Sequence, residues 1–77
     1  MRTIEFSIED NGDQLTIGEM IGVKEYYCPG GYSYMIENAI GMSGLYQFRE
    51  RIKSTKGKVI EIKKTERFNI AVLEFDE

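Results

Sequence analysis

The chain has 77 residues, with 10 basic against 13 acidic side chains and a net charge of −3. That length makes one small domain, residues 1–77, with a core so limited that self-association is a natural supplement. The absence of histidine removes the usual neutral-pH proton shuttle and the commonest metal ligand, and a single cysteine excludes an intrachain disulfide and a cysteine-cluster zinc site. No run of eighteen apolar residues occurs, so no helical membrane span is expected, and the polar start Met1-Arg2-Thr3-Ile4-Glu5 does not read as a signal peptide. The expectation is a cytoplasmic domain with no membrane, cofactor, metal or evident small-molecule substrate.

Along the chain, Ile4, Phe6 and Ile8 alternate with polar residues, the period of a half-buried strand. Asp10-Asn11-Gly12-Asp13 follows, and Asn-Gly suits a type I′ hairpin turn. A tip at Asn11-Gly12 would set Ile8 opposite Leu15, Ser7 opposite Thr16 and Phe6 opposite Ile17, apolar against apolar on one face. A second hairpin is predicted from residues 21–27 and 32–36 around Cys28-Pro29-Gly30-Gly31. Pro29 and Gly30 suit the two centres of a type II turn, which would pair Tyr27 with Tyr32, Glu25 with Tyr34 and Val23 with Ile36. Type II turns splay hairpin strands, so a longer loop is the alternative.

Between the hairpins, Leu45, Phe48 and Ile52 fall on one helical stripe, with Ser43 as a candidate cap and Gly57 as a stop. Residues 43–54 thus read as a short helix, partly 3₁₀, or as an irregular barrel loop. A third hairpin joins Lys58-Val59-Ile60-Glu61-Ile62 to Ile70-Ala71-Val72-Leu73-Glu74-Phe75, both rich in β-branched residues. A three-residue loop, Thr65-Glu66-Arg67, would set Ile62 opposite Ile70, Ile60 opposite Val72 and Lys58 opposite Glu74. The expected core is Ile4, Phe6, Ile8, Leu15, Ile17, Ile21, Val23, Ile36, Leu45, Phe48, Ile52, Ile60, Ile62, Ile70 and Val72.

The stretch from Lys56-Gly57-Lys58-Val59 to Phe75-Asp76 resembles the closing strands of small SH3-like barrels, especially KOW-type modules. The Gly-led strand of the form Gly-x-Val-x-x-Ile, the polar turn and the acidic end carry this likeness. Leu15-Thr16-Ile17-Gly18-Glu19 also looks like the lead into such a barrel strand. The resemblance covers about a third of the chain and implies a partly open barrel of five or six strands. Such modules bind RNA, ribosomal surfaces or peptides and do no chemistry. The fold class expected is mainly β with one short helix: an SH3-like barrel or a strongly bent antiparallel sheet, in the order β, β, β, helix, β, β with an extra strand as a variant.

Charge is segregated. Residues 1–48 carry two basic groups and seven acids, residues 49–67 carry eight basic groups and three acids, and residues 68–77 add three acids. The central excess of +5 could meet phosphates or the acidic half of a second copy, or be a solvated face whose lysines discourage edge pairing. Tyr26, Tyr27, Tyr32 and Tyr34 surround one turn; packing explains some of them, and alternation must turn the others outward. Tyrosine gives contact area at low entropy cost. The candidate binding residues are therefore Tyr26, Tyr27, Tyr32 and Tyr34, with Arg49, Arg51, Lys53 and Lys56 steering an acidic partner.

Other features carry less. Cys28 has no histidine to deprotonate it. Glu9, Asp10, Asn11 and Asp13 lack the remaining ligands of a calcium loop, and Gly41, Gly44 and Gly57 form no phosphate loop. The chain reads as a non-enzymatic interaction module, protein-binding or self-associating. An RNA- or single-stranded-DNA-binding barrel is the alternative, and a small inhibitory accessory protein a further one.

Overall fold

The computed structural model describes residues 1–8, 15–37 and 41–77. Six antiparallel strands are β1 (Arg2–Ile8), β2 (Met20–Cys28), β3 (Gly31–Ile36), β4 (Gly41–Met42), β5 (Lys56–Lys64) and β6 (Asn69–Phe75). They close into a barrel in the order β1-β4-β3-β2-β5-β6, an architecture compatible with an SH3-like barrel. Closure leaves most strands paired on both sides, which shields backbone groups that a small open sheet would expose.

β1 behaves as its alternation predicts: Ile4, Phe6 and Ile8 are buried and their neighbours are not. Its partner differs. β1 pairs along seven residues with β6, from Arg2 opposite Phe75 to Ile8 opposite Asn69, and at its end with β4. The expected pairing with Leu15–Ile17 does not form. The chain there makes a turn, with Glu19 N–H donating to the Thr16 carbonyl and Gly18 at a φ of 98°. It docks on β5 through Gly18 N–H to Val59 O and Val59 N–H to Glu19 O. Ile17 is consequently 61% exposed, whereas Leu15 is buried as expected. The Asn11-Gly12 turn and the Asp10–Asp13 acids lie outside the described residues.

The second hairpin has the expected register, with Tyr27 opposite Tyr32, Glu25 opposite Tyr34 and Val23 opposite Ile36. Its turn is not type II. The positive φ falls on Gly31, at 143°, and not on Gly30. A Cβ at Gly31 would also sit 2.5 Å from the carbonyl oxygen of Tyr46, so only glycine allows that close approach.

The third hairpin keeps Lys58 opposite Glu74 but contains a bulge between Val59 and Glu61. One extra residue in β5 shifts the remainder by one. Glu61 meets Val72, Ile62 meets Ala71, and Lys64 meets Asn69, so the loop is one residue longer than expected. Val59, ahead of the bulge and opposite Leu73, points inward, and Ile60, the extra residue, is left outward and not in the expected core.

Residues 43–54 form no α-helix. A single 3₁₀ turn spans Phe48–Glu50, where Gln47 N–H donates to the Glu50 carboxylate. Ser43 does not cap it; its N–H donates to the Tyr34 carbonyl and its hydroxyl accepts from Tyr34 N–H, continuing the edge of β3. Leu45 and Phe48, expected in the core, are exposed, and only Ile52 of that stripe is buried. The core cluster consists of Ile4, Phe6, Ile8, Leu15, Val23, Tyr34, Ile36, Ile52, Val59, Ala71, Leu73 and Phe75, with Ile21, Tyr32, Tyr46 and Ile62 packed against it. Val72 is buried as expected, but the inner face of β6 is Ala71, Leu73 and Phe75, and Ile70 stays half-buried outside the cluster.

Candidate functional site

β2 and β3 run on together beyond the three residues that β2 shares with β5. Segment 43–55 folds back beneath this extension. Tyr46 pairs with Tyr32 through two backbone hydrogen bonds of 2.8 Å, and Val23 N–H donates to the Thr55 carbonyl. Because Tyr32 and Tyr34 spend their backbone groups on Tyr46 and Ser43, they face Tyr27 and Glu25 as non-hydrogen-bonded pairs, the close kind in an antiparallel ladder. The side chains of Glu25, Tyr27, Tyr32 and Tyr34 are thereby gathered on the face that segment 43–55 covers.

Tyr34 forms the floor. It is 1% exposed, and its hydroxyl donates to Glu25 Oε2 at 2.8 Å while accepting from Ile52 N–H at 3.0 Å. Burial pushes its phenol pKa above the ordinary value, and the Glu25 hydrogen bond adds to the rise. Glu25 in turn receives a two-pronged grip from Arg51, with Nη2 to Oε1 at 2.6 Å and Nε to Oε2 at 3.0 Å. That guanidinium holds the Glu25 carboxyl below the ordinary carboxylate value and outweighs the opposing effect of burial.

The same guanidinium lies 4.4 Å from the ring centre of Tyr32 and 5.5 Å from that of Phe48. Tyr27 meets Tyr32 edge to face at 5.4 Å, and Tyr32 meets Phe48 at 6.3 Å. An arginine plane fixed by a carboxylate is a rigid platform for rings. The two outer rings remain in solvent, Tyr27 at 79% exposure and Phe48 at 72%. A cleft of about 510 Å³ opens beside them between Val23 and Glu25 of β2 and residues 48–55, and Arg49, Arg51 and Lys53 line it.

Of the eight residues singled out from sequence, Tyr27, Tyr32 and Arg51 meet in one cluster and Tyr34 supports it from below. Arg49 and Lys53 lie on the cleft wall. Tyr26 points to the opposite face of β2, across from Ser33, and Lys56 opens β5 opposite Gly22. Sequence reasoning passed over Glu25 and Phe48 as site residues. Glu25 had a signal, because the hairpin register already placed it across from Tyr34. Phe48 had none, since its spacing from Leu45 and Ile52 mimics a helical core stripe. Among the described residues, no three cysteine or acidic side chains converge to hold a metal ion. Comparison with family models, with curated proteins and with solved structures finds no match.

Proposed function

We propose that this chain is a non-catalytic interaction module that binds another protein through the Tyr27–Tyr32–Phe48–Arg51 cluster. The observation that carries the reading is the exposure of two aromatic rings, Tyr27 and Phe48, on a platform already fixed by the Arg51–Glu25 pair. Rings held before a partner arrives lose little entropy on binding, and tyrosine and arginine dominate interface hot spots. The KOW-type likeness of residues 56–76 falls on the β5–β6 hairpin and accords with a binding role for the barrel as a whole. Arg49, Lys53 and Lys56 favour an acidic partner, and they also supply the ground for a second reading, single-stranded nucleic acid stacked on Tyr27 and Phe48.

A display library of random peptides tests the first reading. Selected peptides should lose about tenfold or more in affinity for Phe48→Ala, the scale of a hot-spot truncation. Binders indifferent to Phe48→Ala and Tyr27→Ala would refute this location. Affinity for a mixed-sequence single-stranded oligonucleotide that collapses between low and physiological salt would favour the second reading.

A further inference from the structure

β2 has one edge that the barrel does not use. β5 pairs with β2 only over Met20, Ile21 and Gly22, and Thr55 extends the seam by one bond to Val23. Beyond that point, among the described residues, no strand lies beside Lys24–Cys28 on the side away from β3. The phase of the ladder tells which groups point there. The backbone of Val23 faces Thr55, and N–H and C=O directions alternate along a strand, so those of Glu25 and Tyr27 face the same open side. Tyr32 and Tyr34, their partners across the hairpin, direct their own backbone groups the other way, to Tyr46 and Ser43, which fixes the same phase independently. Two residues thus present a donor and an acceptor each, in line with the β2–β5 seam.

Glu25 of this edge and the adjoining Val23 line the 510 Å³ cleft together with Phe48, Arg49, Lys53 and Ser54 of the segment that folds back beside them. The charge there is uneven. Glu25 is the sole carboxylate among the lining residues and is already held by Arg51. The nearby Glu77 carboxylate is taken up by the backbone N–H groups of Lys53 and Ser54 and by the Ser54 hydroxyl. This leaves the exposed Arg49 and Lys53 side chains in no salt bridge among the described residues. Resting on the interaction reading above, we infer that the occupant is an extended acidic peptide that adds to β2 as an extra strand. Its backbone bonds to Glu25 and Tyr27, and its alternate carboxylates meet Arg49 and Lys53. Main-chain bonds of this kind give affinity to any extended segment, and the charged wall selects among them. Tyr27 and Phe48 flank the path on that same face, so an apolar residue in place of one of the alternate acids would pack on their rings, whereas the residues between point away.

The test uses a synthetic peptide of alternating glutamate and valine, with a lysine–valine peptide as its counterpart. On binding the acidic peptide, the Glu25 and Tyr27 amides should exchange hydrogen at least about tenfold more slowly, whereas Lys24 and Tyr26, already bonded to β3, should change little. Tyr27→Pro removes the edge donor without breaking a bond to β3, and Tyr27→Ala removes only the ring. The proline variant should bind about five- to tenfold more weakly than the alanine variant, the worth of one net hydrogen bond. If the proline variant fails to fold, methylating alternate amides of the peptide asks the same question from the other side and should abolish binding. Lys53→Glu should weaken the acidic peptide and strengthen the basic one.

Equal binding by the proline and alanine variants, with unprotected amides, would overturn strand addition while leaving the aromatic cluster as a binding face. Equal binding of the two peptides, or no binding of the acidic one, would overturn the assigned occupant. Protected amides without peptide, together with a solution mass twice 8.9 kDa, would replace the peptide by a second copy of the chain.

Discussion

Tyr34 shows how much one hydroxyl can organise. Its buried side chain joins β3 to both Glu25 and the backbone of Ile52, and it does so from inside the core. Tyr34→Phe keeps the ring and removes the bridge, leaving a buried Ile52 N–H without its acceptor. The expected cost is about 1–3 kcal/mol in urea denaturation, with little change in the slope of the transition. The Glu25–Arg51 pair adds a pH dependence whose sign follows from the lowered Glu25 pKa. A carboxyl whose folded pKa is depressed stabilises the fold above its unfolded pKa, and that contribution is lost as pH falls through the folded value. Acid titration followed by NMR should therefore show the Glu25 carboxyl protonating below 4.5, the ordinary value. The Arg51 Nε–H resonance should move in the same step. A Glu25 midpoint at or above the ordinary value would contradict the bidentate contact.

At the level of elements, the bulge in β5 is the feature with the largest consequence. Val59 and Ile60 are adjacent β-branched residues, and a regular ladder allows only one of them inside. Alternation from Lys58 selects Val59, but counting back from the 65–67 loop selects Ile60. The bulge satisfies both ends of the hairpin by absorbing one residue, and it leaves Val59 fully buried with Ile60 at 37% exposure. Val59→Ala should accordingly destabilise by about 1–3 kcal/mol and Ile60→Ala by less than half of that, measured by thermal or urea unfolding. A reversed ranking would restore the regular register. Segment 43–54 shows a related conflict. Its apolar spacing fits a helix, yet it opens on Ser43 and Gly44 and the groups of Ser43 and Tyr46 are taken by β3. Pairing along the β3 edge satisfies those groups earlier in the chain than a helix could, so one 3₁₀ turn is all that remains.

For the molecule as a whole, the residues alone determined a mainly β chain, the inward face of β1, and the register of the Tyr27–Tyr32 hairpin. These are short-range properties: a period of two in the side chains and a tight turn of four residues fix them before any distant contact forms. By contrast, β6, apolar on both faces, turns Ala71, Leu73 and Phe75 inward and not Ile70. Tertiary structure decided which strands are neighbours. β1 could join the segment next to it in sequence or the last strand of the chain, and its alternation is the same in both. Barrel closure settles the choice, because β6 offers seven paired residues and an inner face on which Phe6 packs opposite the small Ala71, while Leu15–Glu19 completes the seam beside Val59. The site was legible in the same proportion. Four tyrosines at one tip and a basic stretch after residue 48 mark the region, but only the folded chain brings Arg51 across 26 residues onto Glu25 and turns Phe48 outward. Local pattern encodes which way a side chain points; which groups then meet depends on closing long loops, and that free energy belongs to the whole barrel.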